Sequence, residues 1–315
     1  MFIFRSFNIP KDFFNSILAI GNFDGVHKGH QAVLKEAQEI SHKKKKKIGV
    51  LTFEPHPKCF FNKNFYFFRL TPFREKYEIL KNMGIDFMVN IKFDSRFLKK
   101  SAFNFITENV VKDLKVDTVV TGFDFVFGNK KIGDVNYLRD YVKKTKEFRF
   151  QVVSEVKNEK TLEISSSTIR NSLREGKIEH ANSLMTRDWT VTGRVIKGEQ
   201  KARKIGFRTA NIKMNNFCNL CFGVYFVSLN LSKDFDKKKF FGIANFGIKP
   251  TFNKKTPLLE IHIFDFTNDI YKERLKVSFL KFIRPEKKFE SIEKLRDQIK
   301  KDINQVKNDR LFKDN

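Results

Sequence analysis

One stretch constrains this chain more than any other: Leu18-Ala19-Ile20-Gly21-Asn22-Phe23-Asp24-Gly25-Val26-His27-Lys28-Gly29-His30-Gln31. Ile17 to Ile20 is a short apolar run, the pattern of a buried strand. The run stops at Gly21 and Gly25, residue types that permit a tight turn and close approach of backbone to a ligand. A helix is expected from about Gly29, with Val33, Leu34 and Ala37 on one face. That order places His27 and His30 at a helix N-terminus, where N–H groups and the helix dipole favour anions. Gly29 between them leaves room for a phosphate chain. A lone histidine points to no function, but a strand, a glycine turn and His-x-Gly-His together point to a nucleotide-phosphate site.

A chain of 315 residues is long enough for one large domain or two ordinary ones. With 41% hydrophobic and 14% aromatic residues it can bury a core. No apolar run is long enough to span a bilayer. The N-terminal segment is apolar but short, carries Asp12 and lacks a small-residue cleavage site, so no signal peptide and a cytoplasmic location are expected. The net charge of +26 suggests a polyanion partner at first sight. The charge is spread, however: residues 186–315 hold 29 Lys+Arg against 15 Asp+Glu, and the remainder 33 against 21. With 38 Phe beside abundant Lys and Asn, the composition reads as drift in an A+T-rich genome, and neither a nucleic-acid nor a membrane partner is expected. The run Lys43 to Lys47 reads as a solvated helix end. Three cysteines argue against a disulfide framework, and Cys218-x-x-Cys221 has no second pair to complete a zinc site.

After the first helix, Ile48 to Phe53 reads as a strand running into Glu54-Pro55-His56-Pro57, a rigid turn at a strand's C-terminal end. Open parallel sheets bind ligands at that edge, which makes His56 a candidate. Thr71 and Pro72 read as N-cap and first residue of a helix. Phe87 to Ile91 is a strand candidate, Ser101 to Val111 a helix, and Val116 to Val120 a strand ending in a glycine-bounded turn with Asp124. A helix at Tyr137 to Lys144 and a strand at Phe150 to Val156 complete an alternation that implies a parallel α/β sheet. In Ser165-Ser166-Ser167-Thr168-Ile169-Arg170, hydroxyls open a helix that carries an arginine in its first turn, a pattern suited to phosphate.

The texture changes near residues 180–187, and the domain boundary is placed between 182 and 183. Thr190 to Ile196, Gly223 to Leu231, Lys239 to Asn245, Leu258 to Phe266 and Lys276 to Ile283 all read as strands. Helical periodicity returns only after Ser291, with Ile292, Leu295, Ile299 and Ile303 on one face. The chemistry of this β-rich half centres on Gly193 to Gly198 and on Gly206-Phe207-Arg208-Thr209-Ala210-Asn211. Thr209 and Asn211 supply oxygens of the kind Mg²⁺ takes beside nucleotide phosphates. Glu260 lies within an apolar strand, and an acid there is costly to bury unless it is paired or functional, which suggests a general base.

Both halves resemble the bifunctional riboflavin kinase/FAD synthetases of bacteria. The matching stretches are GNFDGVHKGH, TFEPHP, GFDFVFG and ISSSTIR in the first half, then GRVIKG, GFRTANI, GVYFVSL, FGIKPTF, LEIHIFDF and LRDQIKKDI in the second. The resemblance implies a Rossmann-like adenylyltransferase domain followed by a small β-barrel flavokinase domain with a C-terminal helix. It implies that ATP phosphorylates riboflavin to FMN, and that FMN then attacks a second ATP to give FAD and pyrophosphate, with Mg²⁺ as the divalent cation. On this resemblance Glu260 is the kinase base, Thr209 and Asn211 hold Mg²⁺-ATP, the loop from Gly198 folds over its phosphates, and Gly206 is a further ATP-binding residue. His27, His30 and Arg170 stabilise charge on the ATP of the adenylyltransferase, while Asn22, Asp24, Gly29, His56, Asp124, Ser167 and Thr168 belong to the motifs that hold the nucleotide and its metal.

Three positions depart from the family pattern. Ala202 stands where a glycine is usual, Arg208 where a proline is usual, and Lys249 where an arginine is usual. Arg208 frees a backbone angle and adds a cation near the metal, which is expected to weaken phosphoryl transfer without abolishing it, because Thr209 and Asn211 remain. The alternative is a chain that acts as FAD synthetase only, with an impaired kinase domain.

Overall fold

The computed structural model describes residues 1–61, 68–156, 164–197, 206–214, 216–231, 239–248 and 257–313. Gly198, Lys201, Ala202, Arg203, Lys204 and Lys249 lie outside the described residues. Backbone contacts divide the chain into two compact units, Met1–Ser166 and Ser167–Asn315.

The first unit alternates strand and helix: β1 (Phe2–Phe4), β2 (Ile17–Ile20), α1 (Lys28–Lys44), β3 (Ile48–Glu54), α2 (Pro57–Phe61), α3 (Phe73–Asn82), β4 (Phe87–Lys92), α4 (Ser95–Leu98), α5 (Ala102–Asn104), β5 (Thr118–Gly122), α6 (Val135–Thr145) and β6 (Arg149–Val153). The six strands form one parallel sheet in the order β1-β4-β3-β2-β5-β6. Parallel sheets are covered on both faces, so their central strands read as continuous apolar runs; all four residues of β2 are buried. Leu18, Ile20, Leu51 and Val89 face a core with Phe105, Ile106 and Leu138. Ile17, Ala19, Val50 and Met88 face a second core with Val33, Leu34 and Ala37 of α1, the helix face expected from the sequence. The chain leaves β2 for β3 on one side and later returns to β5 on the other. Ligands bind at such a switch point, outside the carboxyl ends of the strands. The glycine turn after β2 and the one after β5 both open there.

Three local details differ from the sequence reading. The helix expected from Ser101 is capped by the Ser101 hydroxyl, which accepts the Asn104 N–H at 3.0 Å, but it widens into a π-helix over Phe105–Asp113. Pro72, not Thr71, is the N-cap of α3, because Thr71 is engaged by the turn that follows β2. The lysine run is only partly a solvated helix end. Lys44 and Lys46 both pair with Asp117 just before β5, and Lys47 sits 4.2 Å over the Phe13 ring. Burial alone would raise the Asp117 carboxyl, but hydrogen bonds from Lys44, Lys46 and Thr118 hold it well below the carboxylate range.

The second unit comprises α7 (Ser166–Arg174), which starts at the division, α8 (Ile178–Met185), β7 (Trp189–Ile196), β8 (Ala210–Lys213), β9 (Gly223–Leu231), β10 (Phe240–Ile248), β11 (Pro257–Ile263), β12 (Arg274–Pro285), α9 (Ile292–Lys307) and α10 (Arg310–Lys313). Its six strands close a barrel in the order β10-β11-β8-β7-β12-β9, every neighbouring pair antiparallel. Trp189, Tyr225 and Phe279 are fully buried, with the Phe279 ring 5.2 Å from Trp189 and 5.3 Å from Tyr225. The alternate residues Val224 and Phe226 pack instead with Val306 of α9 and its partners Ile299 and Ile303. β9 is therefore buried on both faces, and an antiparallel strand lacks its usual polar side. Ile292, expected on the packed face of α9, is 63% exposed.

A bidentate ion pair fixes α9. Arg284 of β12 donates from Nε and Nη2 to Asp302 at 2.8–3.0 Å, and Gln298 adds a hydrogen bond at 2.8 Å. Asp302 is 2% exposed. Removing one partner of a buried pair leaves the other charge uncompensated, at a cost of about 3 kcal/mol or more. Asp302→Ala is therefore expected to lower the unfolding free energy by about that amount in a urea titration; a loss below about 1 kcal/mol would mean that water already screens the pair.

Candidate functional site

The turn after β2 is the most constrained piece of backbone in the first unit. Phe23, Gly25 and Val26 all have positive φ, at 49°, 89° and 39°. Only glycine adopts such values freely, and a β-branched residue there is strained. The surroundings hold the turn from every side. Gly25 N–H donates to the Thr71 hydroxyl at 2.8 Å. The Asp24 carboxylate accepts the backbone N–H groups of Leu70 and Thr71, each at 3.0 Å. Ser166 Oγ donates to the Asp24 carbonyl at 2.7 Å, and Gln31 Nε2 donates to the Val26 carbonyl at 2.9 Å. Asp24, grouped with the nucleotide ligands by its motif, is thus 3% exposed and turned inward on the 70–71 backbone.

The same turn delivers the histidines. His27 is the N-cap of α1 in extended conformation, and its side chain makes no capping hydrogen bond. Its ring stacks on that of His30, with centroids 3.8 Å apart and planes at 22°. Phe23 meets His30 edge-on at 5.4 Å. A Cβ at Gly29 would lie 3.3 Å from the His27 ring, so glycine keeps this approach relaxed. Asn22 precedes the strained residues, and its Oδ1 is buried with no hydrogen-bond partner among the described residues. An orphaned amide oxygen is costly unless a ligand donor or a cation completes it.

The other expected residues take different positions. His56 is 8% exposed and serves the start of α2: its Nδ1 accepts the Lys58 N–H at 3.2 Å, and its ring lies 5.1 Å from Phe68. Asp124 is exposed in the turn after β5. Ser167, Thr168 and Arg170 lie on α7, just past the division between the units, and Arg170 is 4% exposed.

Sequence reading missed Lys76. It lies on α3, 2% exposed, and its ammonium donates to the Asn22 carbonyl and to Thr52 Oγ1 of β3, both at 3.0 Å. It thus ties the motif turn to the end of a neighbouring strand. Burial pulls its pKa down to about 8; Arg69 contributes to the fall, while Glu54 and Asp24 oppose it. Arg69 itself is paired with Glu54, at 2.6 Å from Nη1 to Oε2.

In the barrel, Thr209 and Asn211 line one cavity of about 270 Å³, with Val195, Arg208 and the segment 266–271. Gly206, at the start of the 206–211 motif, has a φ of 92°, a value that suits glycine. Asn211 is 3% exposed, and its Oδ1 has no hydrogen-bond partner among the described residues. Glu260 does not line the cavity, but it is the direct cross-strand partner of Asn211 and, on its other side, of Asn245. Directly opposed residues share a sheet face with Cβ atoms about 5 Å apart. The expected base therefore stands beside the expected metal ligand.

Each unit now has a distinct match among known proteins. A family described as FAD synthetase matches residues 9–168, and one described as riboflavin kinase matches residues 185–309. A protein of Buchnera aphidicola subsp. Schizaphis graminum, named bifunctional riboflavin kinase/FMN adenylyltransferase, is 38% identical over 95% of this chain and 96% of its own length. The chain belongs to the bifunctional riboflavin kinase/FMN adenylyltransferase family. Bearers of that name from Listeria monocytogenes and Escherichia coli K12 are each 36% identical, over 91% of this chain and 90% of theirs. A solved structure described as a macrolide-efflux protein from Streptococcus pneumoniae has a TM-score of 0.86 at 29% identity, covering 98% of this chain and 99% of that one. What this family member shares with it is the fold. Among the described residues, no helix is long and apolar enough to cross a membrane.

The buried ammonium of Lys76 makes a pH signature. Below its pKa of about 8 both folded and unfolded chains hold the proton; between there and 10.5 the unfolded chain alone holds it. The unfolded state binds more protons in that window, so this group makes stability rise with pH. The urea midpoint of the wild type is expected to gain on that of Lys76→Met between pH 8 and 10; a constant difference would show that burial does not burden the ammonium.

Proposed function

We propose that this chain makes FAD from riboflavin in two ATP-dependent steps, one in each half, with the boundary between the halves at 182/183, in the interval between the two family matches. The observation that carries the reading is a pair of orphaned buried amide oxygens, Asn22 Oδ1 after β2 and Asn211 Oδ1 on β8. Each sits in the motif that the family uses for nucleotide and metal, and each is an acceptor completed by a hard cation or a ligand donor.

In the barrel half, Glu260 takes the proton of the ribityl 5′-hydroxyl as that oxygen attacks the γ-phosphorus of ATP, and ADP leaves. Thr209 and Asn211 would hold Mg²⁺, which neutralises phosphate charge when bound. Phosphoryl transfer needs little protein chemistry beyond positioning and charge. A cavity of about 270 Å³ beside these residues accommodates part of a nucleotide.

In the parallel-sheet half, an oxygen of the FMN phosphate attacks the α-phosphorus of a second ATP, and pyrophosphate leaves. The N-terminus of α1 and the stacked pair His27 and His30 stabilise the developing charge. Asn22 and Asp124 stand at the ends of the two strands that flank the switch point. Ser167, Thr168 and Arg170 contribute hydroxyls and a cation to phosphate, and His56 and Gly29 shape the pocket. The basic residues are spread through both halves rather than gathered in one patch, which gives no support to a nucleic-acid partner. Cytoplasm, where riboflavin and ATP meet, is the compartment that suits this chemistry.

Chromatographic separation of riboflavin, FMN and FAD after incubation with ATP and Mg²⁺ tests the reading. The wild type is expected to form FAD by way of FMN. Glu260→Gln is expected to lose FMN formation by at least about a hundredfold while still converting supplied FMN to FAD, and His30→Ala to do the reverse. A wild type that converts only supplied FMN would leave the barrel an impaired kinase and favour the single-activity alternative.

A further inference from the structure

Arg208 is the one positively charged side chain among the described residues that line the barrel cavity. It stands immediately before Thr209, on the same wall as Asn211. Two hydrogen bonds define its position. Its own carbonyl accepts the Nδ1–H of His262 at 2.9 Å, which fixes its backbone to β11. The His262 ring is held in turn by Phe207, edge-on at 5.2 Å. Its guanidinium then reaches to the loop between β11 and β12, where Nη1 donates to the Thr267 carbonyl at 2.8 Å. The one carboxylate of the described lining, Asp269, accepts the Tyr271 N–H at 2.8 Å within its own turn.

Arg208 is exposed, so its charge stays solvated on the cavity wall and only the Thr267 bond need be given up for it to move. A guanidinium carries five N–H donors in a planar fork, and the bond to Thr267 uses one of them. A neutral carbonyl offers this cation one uncharged acceptor, whereas a phosphate offers charged oxygens that the fork can take two at a time. The fork also suits phosphate geometry. We infer that Arg208 is a phosphate ligand for the nucleotide of the barrel site, resting on the Thr267 carbonyl until the nucleotide enters and then turning onto its phosphates. The inference rests on the reading of the barrel as a nucleotide-binding kinase. It also reverses the expectation that Arg208 weakens phosphoryl transfer: the cation replaces a rigid turn residue with a direct contact.

The test compares Arg208→Gln and Arg208→Lys with the wild type. Calorimetric titration with Mg²⁺-ADP is expected to show two binding events in the wild type, one for each half. In Arg208→Gln one of them weakens about tenfold or more, with Arg208→Lys between, since a lost hydrogen bond to a charged group is of that size. In riboflavin phosphorylation the KM for ATP and the inhibition constant of ADP rise to match. Inhibition by adenosine, which carries no phosphate, the KM for riboflavin and the conversion of FMN to FAD stay as in the wild type. Unchanged ADP binding would overturn the inference. Equal weakening of ADP and adenosine would also overturn it, because it would make Arg208 a structural strap only. A wild type that forms no FMN would instead defeat the kinase reading, and the calorimetric comparison would still decide whether Arg208 meets phosphate.

Discussion

The parallel-sheet half depends on one strained turn. Phe23, Gly25 and Val26 hold positive φ within four residues, and strain of this kind costs about 1–3 kcal/mol for each non-glycine residue. It persists because its backbone is over-determined from outside the motif. Thr71, the 70–71 backbone, Ser166 and Lys76 reach it from segments distant in sequence. The result is an abrupt passage from β2 into α1, with two stacked imidazoles at a helix N-terminus and at the switch point of the sheet. Without that passage the histidines would be ordinary surface residues of a helix. The six-stranded sheet thus supplies the switch point, and the pinned turn sets the N-terminus of α1 beside it.

The two halves reach the same physical solution by different architectures. In the parallel sheet an asparagine follows a buried strand, and in the barrel it lies within one. In both its amide oxygen is buried and unsatisfied among the described residues. Native interiors rarely leave such an acceptor alone. The barrel adds Glu260 directly across the β8–β11 pair, so carboxylate and amide are registered by strand pairing rather than by loop conformation. A pair of side chains set by strand register is rigid without further support.

Most strands and the parallel class were legible in the sequence because Ile17 to Ile20, Ile48 to Phe53 and Phe87 to Ile91 are apolar runs bounded by turn residues. The turn itself was legible through its glycines and histidines, but its supports were not. Lys76 lies in an amphipathic helix and looks like any solvated lysine; its burial arises from packing of α3 near Thr52. Asp24 stands in a nucleotide motif, and nothing in the sequence shows that its carboxylate also binds the backbone at 70–71. β8 is not legible because Ala210 to Lys213 overlap a ligand motif and are only four residues long. β1 was lost in an apolar N-terminal segment, since edge pairing with β4 is a long-range event. Thr71 was read as a helix cap from local pattern, and a tertiary contact overrode it. In each case the missing information was a partner distant in the chain.

The central claim is that external pins on the 21–27 turn, and not the motif alone, position the adenylyltransferase chemistry. Steady-state kinetics of FAD formation from FMN by Thr71→Val tests it most directly, because valine keeps the volume and removes only the hydroxyl that receives the Gly25 N–H at 2.8 Å. The account predicts a fall in kcat of about tenfold, equivalent to about 1.4 kcal/mol, with riboflavin phosphorylation by the same protein unchanged. FAD formation at the wild-type rate would contradict it, and would mean that the turn keeps its shape through its own sequence.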